Sequence, residues 1–200
     1  MKGKSAKSLA MKVFFKTRLK IIIAIITVCQ LLNTSCSKQI YQTISINNIE
    51  NRTDKKDLKK FIEQGTARRI NTHNTNADEI ITTAQNFLGI PHCLGGTTSR
   101  CMDCSGLLVA VFSTHNIYLP HNSEEQARYG NIVAKKEKLN RGDLVFFIKS
   151  YKTHRFITHS GIYLGNDKFI HTSSSKGVTI TSIYDPWWNN KFIFGTRIFD

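Results

Sequence analysis

The chain has 200 residues, 28 of them Lys or Arg and 14 Asp or Glu, for a formal charge of +14. That length allows one domain with a core of its own plus an extension, and it is enough not to need a disulfide framework. The charge does not call for a nucleic-acid partner: seven basic residues precede residue 21, leaving 21 basic against 14 acidic, and no zinc-finger spacing, recognition-helix signature or aromatic–basic RNA motif is present.

Met1 to Lys20 is basic and lacks any acidic residue, and Ile21 to Leu32 is almost purely apolar. This is a secretory signal pattern, with Met11 as an alternative start. The apolar run is short for a membrane span, which needs about 20 residues. Thr34 and Ser35 precede Cys36, and a polar run follows. The stretch resembles the lipobox of bacterial lipoproteins, although Asn33 stands where a leucine is usual and Leu32 lies one place further back. The resemblance implies a signal peptide over residues 1–35, a lipid-modified Cys36, and a membrane anchor through that lipid. It places the protein at the bacterial cell envelope, on the outer membrane facing the periplasm. The alternative is an ordinary secreted protein in which Cys36 is incidental. The positive charge that remains suits anionic envelope polymers or lipid head groups.

Residues 36–75 are polar, rich in Asn, Thr, Lys and Glu. Ile44 to Ile49 and Lys55 to Gln64 can order, but neither carries enough apolar surface for a core. The stretch therefore reads as a lipidated cysteine and a polar tether, or a loosely docked arm.

The domain is expected over residues 76–200. Asn76 with Glu79 makes a capping box, and Ala77, Ile80, Ile81, Ala84, Phe87 and Leu88 line one helical face up to Gly89 and Pro91. A loop containing Gly95-Gly96 leads to a second helix. Cys104, Leu107, Leu108, Val111 and Phe112 share its face, Asp103 caps it, and it ends near Asn116. Ser123 is expected to cap a short helix ended by Gly130. The period then changes, with strands over Leu144–Ile148, His159–Leu164, Lys168–Thr172, Gly177–Ser182 and Lys191–Ile198. Helices first and antiparallel strands after argue an α+β fold.

Cys104 falls in the first turn of its helix, where backbone N–H groups and the dipole favour a thiolate and lower its pKa. Gly106 leaves room for backbone or substrate to approach closely. A cysteine nucleophile needs a base and a group to hold that base. Of seven histidines, His159 opens a strand and His171 lies in the next. If the Gly165–Asp167 turn has three residues, Gly161 pairs with His171. His159 and His171 then become diagonal neighbours on one face, about 7–8 Å apart. A two-residue turn would put them on opposite faces. The first case offers a Cys-His-His relay of Cys104, His159 and His171. Cys101 and Cys104 also form a C-x-x-C pair, which is a zinc half-site with Cys93 and His92, or a redox motif in a βαβ setting that is absent here. Cys93 can pair with Cys101, or Cys101 with Cys104; the spacing does not choose.

Phe87-Leu88-Gly89-Ile90-Pro91-His92, Gly95-Gly96, Asp103-Cys104-Ser105-Gly106, Leu119-Pro120, Ser123 with Gln126, Gly142-Asp143-Leu144-Val145-Phe146-Phe147, His159-Ser160-Gly161-Ile162-Tyr163-Leu164-Gly165 and Ile170-His171 together, in that order, resemble the NlpC/P60 cell-wall peptidases. With the lipobox, the chain is similar to that family's small lipid-anchored murein endopeptidases. The resemblance implies a papain-like NlpC/P60 fold, with N-terminal helices on a mostly antiparallel sheet of five to six strands. It implies cleavage of peptidoglycan stem peptides, commonly between D-glutamate and the diamino acid. Cys104, His159 and His171 land on the family's triad. Ser105 lands in its substrate groove, beside His92, Asp103, Gly106 and Ser160 as substrate-binding candidates. His92 replaces the usual tyrosine near the nucleophile, and an N–H of its ring can stand in at the oxyanion. His121 replaces the usual arginine after Leu119-Pro120. No metal or organic cofactor is required, and a monomer is expected. The rival readings are an amidase or transpeptidase of the same fold, a non-catalytic peptidoglycan-binding lipoprotein, and a lipid-anchored scaffold or immunity-type protein.

Overall fold

A computed structural model describes residues 18, 20–25, 37–45 and 48–199, so Cys36 and the expected cleavage position lie outside the described residues. The chain divides into two units, Met1–Gln39 and Ile40–Asp200. In the first, residues 20–25 are helical and exposed. No helix among the described residues is long and apolar enough to cross a membrane.

The second unit is built on a six-stranded antiparallel sheet in the order β3-β8-β4-β5-β6-β7. Its strands are β3 (Asn131–Val133), β4 (Leu144–Phe147), β5 (His159–Gly165), β6 (Lys168–Ser173), β7 (Gly177–Ser182) and β8 (Phe192–Arg197). A two-stranded ribbon, β1 (Thr97–Thr98) with β2 (Cys101–Met102), precedes them. The helices are α1 (Arg52–Glu63), α2 (Ala77–Gln85), α3 (Cys104–Ser113), α4 (Ser123–Gln126) and α5 (Pro186–Asn189). The α+β architecture, with N-terminal helices packed against the sheet, is the one the sequence predicts; β3 is the sheet strand not foreseen, and the β1–β2 ribbon stands where a loop was expected.

Every residue of β4 is buried, because both faces of the sheet are covered. Leu144 and Phe146 enter the main core with Leu107, Leu108, Val111 and Phe112 of α3. Val145 and Phe147 enter a second cluster with Phe169, Ile183 and Phe192, against which Trp188 packs. This second cluster adjoins the histidines.

Several local expectations hold. Asn76 and Glu79 form a reciprocal capping box, and Asp103 accepts the Gly106 N–H at 2.7 Å. The short helix differs: its cap is Asn122, whose side chain accepts from Glu124 and Glu125, and this frees the Ser123 hydroxyl.

The tether reading needs correction. Ile44, Ile49, Leu58, Phe61 and Ile62 are all part of the main core. The Asn48 amide donates to Ala134 O and Ile193 O, each at 2.7 Å. Arg128 is almost fully buried and donates to Phe61 O and Gly65 O, meeting the orphan carbonyls at the C-terminal end of α1. Ile44 comes from the helical stretch 37–45, Ile49 from the link that follows, and Leu58, Phe61 and Ile62 from one side of α1, and together they suffice to dock the stretch.

Candidate active site

Asp103, the cap of α3, collects four donors. Its Oδ1 accepts from the Gly106 N–H, from Ser105 Oγ at 2.9 Å and from His121 Nε2 at 2.9 Å; its Oδ2 accepts the Gly95 N–H at 2.8 Å. Burial alone would raise its pKa, but His121 and the other donors hold the carboxyl below the usual carboxylate range. His121, which stands where the resemblance leads one to expect an arginine, thus bonds to the cap of α3.

Cys104 follows at the first position of α3. Cys93 and Cys101 form a disulfide, and Cys104 is the free cysteine among the described residues. Its Sγ lies 3.6 Å from Ser123 Oγ, which lies 3.1 Å from Ser160 Oγ, and Ser160 donates to Gln126 Oε1 at 3.2 Å. No hydrogen bond joins the sulfur to either imidazole among the described residues. The expectation of a lowered thiol pKa fails. Burial pushes it up, the Asp103 charge adds to the rise, and the Ser123 hydroxyl and the Ser160 and Ser105 N–H groups do not outweigh them. The residue still keeps part of its surface open to the cleft.

His159 and His171 do share a face. Ile162 pairs with Ile170 and Tyr163 with Phe169, and the turn is absorbed by a bulge that sets Gly165 opposite Lys168. Their rings meet, with His159 Nε2 2.9 Å from His171 Nδ1, and His171 Nε2 lies 3.0 Å from Thr181 Oγ1. Gly161 does not leave open space: a side chain there would strike Ile170 O and Phe169, so glycine lets that ring and His171 pack tightly. Burial lowers the pKa of His159 well below the usual value, helped by the charges of His171 and His92. Burial lowers His171 to about 4, with Asp185 opposing and Lys176 reinforcing the shift. Both imidazoles are therefore neutral at neutral pH.

An open cleft of about 710 Å³ is lined by Cys104, His159 and His171 together, with His92, Asp103, Ser105 and His121 in its wall. Two sequence candidates do not line it. Ser160 is fully buried and spends its hydroxyl on Ser123 and Gln126. Gly106 is buried against Gly96 O, which any Cβ would strike, so its smallness admits backbone and not substrate. Sequence reasoning missed Trp188. Its ring stacks on His159 at 4.6 Å and meets His171 edge-on at 4.8 Å. The signal was the Asp185-Pro186-Trp187-Trp188 run, a capped turn carrying two aromatics. Thr181, Tyr151, Arg155 and Lys176 were missed as well.

A helix that starts at a free cysteine, set at the end of an antiparallel sheet carrying a bonded histidine pair, defines a papain-like α+β domain. The chain belongs to the NlpC/P60 family, whose model matches residues 89–197. It is 34% identical over 190 residues to the probable endopeptidase NlpC homolog of Haemophilus influenzae, covering 90% of this chain and 99% of that protein. It is 40% identical over 137 residues to the gamma-DL-glutamyl hydrolase of Bacillus subtilis, covering 67% of this chain but 32% of that one. It is 37% identical over 111 residues to the murein DD-endopeptidase MepS/murein LD-carboxypeptidase of Escherichia coli, covering 55% and 56%. The chain thus spans about a third and about half of the last two proteins. Among solved structures, an NlpC/P60 family protein from Bacillus cereus superposes with a TM-score of 0.57 at 31% identity, covering 63% of this chain and 41% of that one.

Proposed function

We propose that the protein is a cysteine endopeptidase that hydrolyses peptidoglycan stem peptides at the D-glutamyl–diamino acid bond. The observation that carries this reading is the 2.9 Å bond between His159 and His171 in the wall of the cleft that also opens onto Cys104. Membership of a family whose named relatives include murein and glutamyl hydrolases supports the substrate class.

The chemistry begins from a neutral pair, since Cys104 is raised and His159 lowered. His171 donates its Nε2–H to Thr181 and accepts the His159 Nε2–H at Nδ1. This tautomer leaves the lone pair of His159 Nδ1 for the cleft, where it acts as base. On substrate entry the thiol proton leaves its serine contact for that nitrogen, and the thiolate attacks the scissile carbonyl. The first-turn N–H of Cys104 and the His92 ring meet the tetrahedral oxyanion. His159 returns the proton to the departing amine, and water, deprotonated by His159, then frees the acid from the thioester. A lipid on Cys36 would hold this chemistry at the envelope.

Incubating the purified chain with muropeptides and identifying products by mass tests the reading. Fragments cut between D-glutamate and the diamino acid, absent with Cys104→Ala, are the expected result. No products from reduced, folded protein would overturn the assignment as an enzyme.

A further inference from the structure

Besides its histidines, the cleft is lined by four charged side chains: Asp103, Asp185, Arg155 and Lys176. The carboxylates are engaged. Asp103 holds its four donors, and Asp185 caps α5 by accepting the Trp187 N–H at 2.9 Å. Neither Arg155 nor Lys176 makes an ion pair or a side-chain hydrogen bond among the described residues. Arg155 and Lys176 are thus the two charged side chains of the cleft that no hydrogen bond or ion pair among the described residues engages.

Both cations stand on anchored supports. Arg155 lies in the connection from β4 to β5. The Glu124 carboxylate accepts the next two N–H groups, of Phe156 at 2.8 Å and Ile157 at 3.3 Å. Thr158 Oγ1 closes the base of the connection by accepting the Ser150 N–H at 2.9 Å. Lys176 lies in the turn from β6 to β7. Gly177, at φ +67°, abuts Ile90 and Pro91 so closely that a side chain would strike their backbone. The Val178 N–H donates to Ile90 O at 2.8 Å, which pins that turn.

The antiparallel order β4-β5-β6-β7 sends both connections out at the same end of the sheet, with the strands of His159 and His171 between them. Their roots are two strand spacings apart, roughly 10 Å. An extended peptide covers that distance in about three residues. A chain lying across this end, with its scissile bond at Cys104, brings its flanking acidic groups to the two cations.

We propose that Arg155 and Lys176 are carboxylate-binding positions on either side of the scissile bond, selecting acidic peptides with free carboxylates over their amidated counterparts. The identity of the scissile bond rests on the hydrolase reading above; the selection is a property of binding and can be read without turnover. Both groups are solvent-accessible, so the attraction is screened by salt.

The test titrates the full chain, carrying Cys104→Ala, with two murein tripeptides by calorimetry. One has a free D-glutamyl α-carboxylate and the other has it amidated. The free peptide is expected to bind about five- to tenfold more tightly, in line with a charged hydrogen bond weakened by exposure. Arg155→Gln or Lys176→Gln, whichever lies on the glutamyl side, should remove most of that ratio while the other leaves it, the double variant should abolish it, and Arg155→Lys should keep part of whatever Arg155→Gln removes. Added salt should weaken the free peptide and not the amidated one. Equal affinities, no binding of either peptide, or a ratio unchanged in the double variant would overturn the proposal. Turnover by the unsubstituted chain separates the two ideas. Selective binding with no product sinks the hydrolase reading alone, and equal binding with efficient cleavage of both peptides sinks the selection alone.

Discussion

The bond from His159 Nε2 to His171 Nδ1 runs beneath the indole of Trp188, which lies nearly flat on one ring at 27° and nearly upright to the other at 73°. Phe169 stacks on His171 at 4.6 Å and meets Trp188 edge-on at 5.7 Å, and Phe147 lies 6.0 Å from His159. The connection from β7 back to β8 crosses this face of the sheet, and α5 sets Trp188 over it. Lys136 Nζ donates to Asn189 O at 2.9 Å and to its side chain at 2.6 Å, which fastens α5 in place. An aromatic box of this kind excludes water from the imidazole pair and fixes both ring planes.

Trp188→Ala is expected to lower kcat by roughly tenfold to a hundredfold while leaving KM nearly unchanged, because a misplaced base costs the chemical step and not binding. Trp188→Phe should recover most of the loss, since a smaller ring still covers the bond. Steady-state kinetics on a muropeptide check both. An equal rise of KM in the alanine variant would show instead that the indole serves substrate binding.

The same burial sets a pH dependence of stability. The folded state holds His171 neutral down to about 4 and His159 neutral below its usual pKa. The unfolded chain takes up protons at both near pH 6.5. Between those limits the unfolded state binds more protons, so stability falls as the pH falls, and the His171 contribution is lost through the window from about 6.5 to 4. The loss from His171 should be on the order of 2–3 kcal/mol. Urea titrations at pH 7 and pH 4.5 measure it, and His171→Asn should flatten the difference. A curve unchanged by that substitution would place the acid sensitivity elsewhere.

How far these features were legible in the sequence depends on the range over which each is decided. Capping is local, so Asp103 at α3 and Asn76 at α2 could be read from spacing. The shared face of the histidines followed from strand alternation once a turn length was assumed, although the bulge that sets Gly165 against Lys168 was not visible. The thiol pKa could not be read, because it is decided by burial in the assembled fold, which the hydrogen bonds of Ser123 and Ser160, from two other elements, only partly offset. Trp188 reaches the site only by a crossing of the whole sheet. Ser160 was misread as facing substrate for a related reason. It alternates away from His159 along β5, toward α3 and α4, and so belongs to the core.

Cys93 and Cys101 close an eight-residue separation that contains Gly95 and Gly96 and is flanked by His92 and Asp103. The Asp103 N–H donates to Gly96 O at 3.1 Å, so the clasp holds the loop against the start of α3. Removing it by Cys93→Ser with Cys101→Ser should cost about 2.5 kcal/mol by the chain-entropy argument. It should also raise KM, because His92, Leu94 and Gly95 line the cleft. Reduction of the unsubstituted protein should reproduce both effects without inactivating it, since Cys104 is not in the disulfide. Complete loss of activity on reduction, with the fold intact, would contradict this.

Residues 40–75 belong to the fold and not to a leash, and their removal tests that. Phe61 is 2% exposed, packs 5.7 Å from Phe194 on β8 and 6.1 Å from Phe156, and lies under the Arg128 guanidinium at 4.4 Å. Emptying that position leaves a cavity at the sheet and strips the cation of its aromatic partner. Phe61→Ala should therefore cost about 3–5 kcal/mol, the range for a buried aromatic. Arg128→Met keeps the volume but orphans the carbonyls of Phe61 and Gly65, so it should also destabilise. Deletion through residue 75 would bare Phe194 and strand the buried Arg128 charge at once, and such a chain should aggregate or unfold. A true tether behaves differently: the deleted chain would melt where the full chain does. Thermal unfolding of the point variants, beside the expression and solubility of the deletion, distinguishes the two outcomes.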